Sequence, residues 1–111
     1  MSSINFDEMQ QIQKELQAKY GKGANWGTLN PEHGVKTLLW MINEAGEVAD
    51  VLKKEGEQAV MEDPAIRQHF IEEMCDVMMY FNDLMLCFDI TPRELTEEYW
   101  KMHKYNMSRW Q

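Results

Sequence analysis

Two acidic patterns share one spacing: Glu44-Ala-Gly-Glu47 and, after 25 intervening residues, Glu73-Met-Cys-Asp76. Residues three apart lie on one face of an α-helix, so each pattern aims two carboxylates the same way. At about 100° per residue, Glu44 falls in line with Val48 and Val51, flanked by Trp40 and Met41. By the same count Glu73 falls with Val77, Tyr80 and Leu84. One such pair is common on a solvated face; two pairs, each inside an apolar stripe, are not. A carboxylate in a core is costly unless it is neutralised or paired, and the nearest cations, Lys36 and Lys54, lie toward the edge of that face. The remaining compensation is a divalent cation. An all-oxygen donor set suits a hard ion, and Mg²⁺ typically keeps several waters and joins carboxylates to substrate phosphates; Mn²⁺ accepts the same donors. The expected site is therefore Glu44, Glu47, Glu73 and Asp76 around Mg²⁺, beside a phosphorylated ligand.

Helices must position these groups. All three prolines follow a residue that caps helix starts, in Asn30-Pro31, Asp63-Pro64 and Thr91-Pro92. Proline at the first helical position gives up only an amide that has no partner there, while the preceding side chain accepts from the first turn. Thr91 to Glu94 fits a capping box, and Asn5 to Glu8 is a looser version of it. Apolar residues then recur with helical spacing: Phe6, Met9, Ile12, Leu16; Val35, Leu38, Met41, Val48, Leu52; Phe70, Met74, Val77, Phe81, Leu84; and Leu95, Tyr99, Met102. The pattern predicts four helices near 5–20, 32–55, 64–88 and 92–107. Gly21 and Gly23 stop the first and Gly56 ends the second, with a loop over 21–29. Short connections after Gly56 and Asp89 predict that the last three helices are antiparallel neighbours in a single all-α, four-helix bundle over residues 1–111.

Charge restricts the partners. Nineteen acids against eleven bases leave −8, which repels a nucleic-acid backbone. The charge is unevenly spread, with −11 over residues 1–98 and +3 over 99–111, where Lys101, Lys104 and Arg109 meet no acid. No apolar run approaches the ~18 residues of a membrane span and the first residues have no leader pattern, so a cytoplasmic protein without membrane association is expected. Cys75 and Cys87, twelve apart on one predicted helix, are too far apart for a disulfide and are expected as reduced core thiols.

Other residues carry weaker signals. His69 stands four before Glu73, but a di-iron carboxylate bundle needs Glu-x-x-His on two helices, and neither Glu44 nor Glu73 has histidine three residues on. His69 is therefore expected at the surface or beside the site. His33, in the first turn of the second predicted helix, is placed either to cap that helix or to touch a phosphate or base. Trp26 in the loop and Trp40 are candidates to stack on a nucleobase, with core packing the commoner role for Trp40. The ten methionines, four of them on the third predicted helix, read as adaptable core or subunit contact. Stripes this wide predict a homodimer or homotetramer.

The spacing Glu44-x-x-Glu47…Glu73-x-x-Asp76 resembles the ExxE…ExxD signature of the all-α nucleoside triphosphate pyrophosphohydrolases, the MazG-like superfamily that includes dCTP pyrophosphatases and dimeric dUTPases. Asn43 to Asp50 is similar to that family's second helix, Glu72 to Tyr80 to its third, and Lys104-Tyr-Asn106-Met-Ser-Arg109-Trp110 to its C-terminal Lys/Asn/Arg stretch. The resemblance implies Mg²⁺-dependent hydrolysis of a ribo- or deoxyribonucleoside triphosphate between the α and β phosphates, giving monophosphate and pyrophosphate. It implies that Glu44, Glu47, Glu73 and Asp76 hold the ion, with one glutamate orienting or deprotonating the attacking water. It also implies that Tyr80 contacts a phosphate and that Lys104, Asn106 and Arg109 donate to phosphates. Where the family often has lysine four residues before this asparagine, this chain has Met102, between Lys101 and Lys104. The rival from another class is a non-catalytic bundle that binds a nucleotide or a partner protein.

Overall fold

In the computed structural model residues 3–20 and 29–110 are described, and among them all regular structure is helical. Five α-helices follow in order: α1 (Phe6–Tyr20), α2 (Gly34–Glu55), α3 (Glu57–Glu62), α4 (Pro64–Cys87) and α5 (Pro92–Arg109), with one 3₁₀ turn, Pro31–His33, leading into α2.

The expected caps form. Asn5 and Glu8 exchange two hydrogen bonds at the head of α1: the Glu8 amide donates to Asn5 Oδ1 at 2.8 Å and the Asn5 amide to Glu8 Oε1 at 3.1 Å. Asp63 Oδ1 accepts from the Ala65 amide at 2.9 Å, and Thr91 Oγ1 from the Glu94 amide at 3.1 Å. Two boundaries differ from expectation. The second helix opens as a 3₁₀ turn because Asn30 takes the His33 amide on both its carbonyl, at 3.0 Å, and its side chain, at 3.3 Å. The connection after Gly56 contains α3. Gly56, at φ 86°, redirects the chain, and Asp63, held extended before Pro64, ends the short helix.

The helices α2 and α4 form the main packed pair. They run antiparallel: Gly34 at the start of α2 meets Phe88 just past α4, and Val51 and Lys54 line one cavity with Ala65 and Ile66. A Cβ at position 34 would come within 2.4 Å of the Phe88 ring, so glycine permits that approach. Among the described residues the buried apolar core is small: Val51, Val60, Met85 and Cys87. Cys75, expected in the core, is exposed instead, because it points away from the α2–α4 seam that encloses Cys87.

Helix α1 lies on α4 through a polar seam, in which Gln10 Nε2 donates to Asn82 Oδ1 at 2.6 Å and Gln13 Nε2 to Asp83 Oδ1 at 2.7 Å. Helix α5 packs on α1 and not beside α4, which corrects the expected order of neighbours. The cause lies in the turn: Asp89 adopts φ 54°, and the Ile90 amide donates to the Met85 carbonyl at 2.9 Å in a Schellman closure that sends the chain away from α4. The result is an open molecule. Its radius of gyration is 16.6 Å, against ~13 Å for a compact domain of about 100 residues. Among the described residues no helix is long and apolar enough to cross a membrane.

Candidate metal and ligand site

Because α2 and α4 pack along their length, Glu44 from one faces Glu73 and Asp76 from the other. One oxygen from each carboxylate falls within 4.8 Å of the other two. Burial first, then the charges of Asp76, Glu73 and Glu47, raise the Glu44 carboxyl above its ordinary range. His69 lies beside the cluster, with Nε2 3.7 Å from Glu73 Oε1 and Nδ1 3.9 Å from Glu72 Oε2. Three hard oxygen donors at this separation suit a divalent cation. Two oxygens across a Mg²⁺ ion are about 4 Å apart and across Ca²⁺ about 5 Å, so side-chain adjustments of under about 1 Å would bring these three into range.

Asp76 also lines an open cavity of about 270 Å³ formed mainly by α1, α2 and α4. Trp40 and Tyr80 form part of its wall, their rings 5.9 Å apart and inclined at 67°. Lys36 Nζ lies 4.7 Å from the Trp40 ring centre, a cation–π contact at the cavity wall. Burial, with the charges of Glu44, Asp83 and Asp76, pushes the Tyr80 phenol upward, so it remains a neutral donor between two acidic regions. The inner wall carries Asp83, 6% exposed. Its Oδ1 accepts from Gln13 at 2.7 Å, and Gln17 Nε2 lies 3.5 Å from both carboxylate oxygens. Desolvation outweighs those donors and pushes the Asp83 carboxyl up to about 6.

The residues expected at the site are thus sorted. Glu44, Glu73 and Asp76 meet; Tyr80, Trp40 and His33 join Asp76 around the cavity. Glu47 lies outside the three-carboxylate group, exposed on α2, and with Asp50, Lys54 and His69 it borders a neighbouring cavity, though its charge still bears on Glu44. Lys104, Asn106 and Arg109 are exposed on α5 and are not brought to the carboxylates, since among the described helices α5 packs on α1 alone. Arg109 stacks over Tyr105 at 5.4 Å and Trp110 at 5.1 Å. Trp26 lies outside the described residues.

Sequence reasoning missed Asp83 and its glutamines. The signal was present: Asp83 is seven residues after Asp76 and three after Tyr80, on the same face of α4. What no spacing could supply is that α1 brings Gln13 and Gln17 onto it from 70 and 66 residues away. No protein-family model matches the chain, and no curated protein and no solved structure matches it.

Proposed function

We propose that the chain is a Mg²⁺-dependent nucleoside triphosphate pyrophosphohydrolase with a MazG-like architecture, cleaving between the α and β phosphates. The observation that carries this reading is the convergence of Glu44, Glu73 and Asp76 at the edge of an aromatic-walled cavity. A cavity of about 270 Å³ lies just below the range that encloses drug-sized ligands and suits part of a nucleotide, with the phosphates left outside. Bound Mg²⁺ would neutralise triphosphate charge and lower the pKa of a coordinated water. Glu44, Glu73 and Asp76 would hold it. Glu47, exposed and close enough to influence Glu44, is free to orient or deprotonate the water that attacks the α phosphorus as pyrophosphate leaves. Tyr80 would donate to a phosphate oxygen, and Lys36 lies on the same cavity to offset charge.

Lys104, Asn106 and Arg109 would reach the phosphates of a second copy's site. Two features support a homo-oligomer. The chain exposes 8765 Å², whereas a compact monomer of its mass exposes about 6,400 Å². That excess of roughly 2,300 Å² is on the scale buried per subunit in obligate dimers. The exposed surface also includes Leu38, Leu39 and Ile42 on α2 and Tyr99, Trp100 and Met102 on α5.

The test is a nucleotide panel with pyrophosphate and orthophosphate both measured. Mg²⁺-dependent pyrophosphate release that disappears in Glu44→Gln and Asp76→Asn supports the reading. Orthophosphate as the product overturns α–β cleavage, and binding without turnover would make the chain a nucleotide-binding module.

A further inference from the structure

Asp83 is harder to explain than the acids of the cluster. A residue earlier, Asn82 already ties α1 to α4 by accepting from Gln10 at 2.6 Å, with no charge involved. An amide at position 83 would hold Gln13 equally well. The carboxylate is instead retained in a site that disfavours its ionised form, fed by two neutral glutamine amides, and it borders the cavity. Asn82 is equally buried but does not border that cavity.

The geometry of α4 gives this carboxylate a place relative to the cluster. Asp83 stands two helical turns beyond Asp76, about 10 Å along the axis, with Tyr80 between them. A nucleotide whose phosphates lie at Asp76 would extend its base past Trp40 and Tyr80 toward Asp83. The acceptor that the cavity wall presents there is the carboxylate of Asp83, toward which the side-chain nitrogens of Gln13 and Gln17 are directed. A carboxylate pairs with an exocyclic amino group, as Asp and Glu do with cytosine N4, and repels a carbonyl in the same position.

We propose that Asp83 is the base-reading residue of this cavity, accepting a hydrogen bond from a base amino group and so selecting cytosine over uracil or thymine among pyrimidine nucleotides. This inference rests on the reading of the cavity as a nucleotide site. It does not require turnover. Discrimination by one such contact is worth roughly ten- to a hundredfold.

The experiment titrates the full-length protein with dCMP and dUMP by calorimetry, and in parallel measures pyrophosphate release from dCTP and dUTP, for the wild type, Asp83→Asn and Gln17→Ala. The expected result is at least tenfold tighter binding of dCMP by the wild type, reduced to less than threefold in Asp83→Asn, whose amide can donate as well as accept. Gln17→Ala, which leaves the carboxylate in place, retains the preference and serves if Asp83→Asn fails to fold. Equal binding of the two nucleotides by the wild type, binding of neither, or a preference unchanged in folded Asp83→Asn overturns the proposal. So does a loss of preference in folded Gln17→Ala. A residue that only held α1 would alter both affinities alike. A retained dCMP preference with no hydrolysis of any triphosphate would instead overturn the pyrophosphohydrolase reading and leave base selection standing.

Discussion

One helix carries acids in two opposite settings. Near the middle of α4, Glu73 and Asp76 stand with Glu44 of α2, three carboxylates close enough to repel and open enough to take a cation. Two turns later Asp83 is buried among amides. Glu44 and Asp83 are both pushed toward the neutral form, but like charges add to desolvation at Glu44, whereas at Asp83 desolvation acts against two hydrogen bonds. The difference teaches what each acid can do. A cation relieves the cluster, while an added hydrogen-bond donor relieves Asp83.

The largest effect should come from breaking the cluster. In Glu44→Gln, Mg²⁺-dependent pyrophosphate release should fall at least about a hundredfold, as loss of a metal ligand requires. Without metal the same variant should melt higher than the wild type, because a repelled charge is gone. Mg²⁺ at about a hundred times its dissociation constant should raise the wild-type melting temperature by roughly 10 °C and leave Glu44→Gln nearly unmoved. Equal Mg²⁺ shifts in both proteins would show that the three carboxylates do not act as one site.

Which parts of this were legible in the sequence follows from the range of each interaction. Capping at Asn30, Asp63 and Thr91 is set by neighbours within three residues and forms at all three, with Asn30 opening a 3₁₀ turn ahead of α2. Three of the four acids expected together, Glu44, Glu73 and Asp76, do meet, because the stripes that carry them pack on each other, while Glu47 falls outside the group. The turn at Asp89 was opaque: a non-glycine residue at positive φ leaves no compositional trace, and it decides that α5 leaves α4. The face of Asp83 was readable from its spacing, but its burial was opaque for another reason, since its donors come from a distant helix.

The seam around Asp83 offers the next contrast. Gln10→Ala removes the donor from Asn82 Oδ1 and should cost about 2 kcal/mol, the penalty of a buried acceptor left unpaired. This is measured as a shift of the urea midpoint at unchanged slope. If Asn82 is the tie between α1 and α4, Gln10→Ala should loosen α1 more than Asp83→Asn does, as read by amide exchange over α1.

Asp83→Asn should act mainly through pH. The carboxyl titrates near 6 when folded against an ordinary 3.8, so the folded state holds the proton more tightly. The protonated form's contribution is then complete below about pH 4 and is lost as pH rises through 6. Relative to Asp83→Asn, the wild type should therefore lose about 1–2 kcal/mol of stability between pH 4 and pH 7. Denaturant midpoints at the two pH values check this; a parallel change in both proteins would mean that Asp83 titrates as it does unfolded.

A third acid completes the series and should show the smallest effect. Glu97 on α5 is paired with Arg93 one turn earlier, with Arg93 Nε 3.0 Å from Glu97 Oε1, shorter than either contact of His69 with its glutamates. Geometry alone would rank this pair first. Both side chains are solvated, however, so water already satisfies each charge, and holding two long side chains in one arrangement costs rotamer freedom. Arg93→Ala should shift stability by less than about 0.5 kcal/mol, and 0.5 M salt should erase the shift. A cost above about 1 kcal/mol would mean that this face of α5 is covered in solution, because only desolvation could make the pair matter.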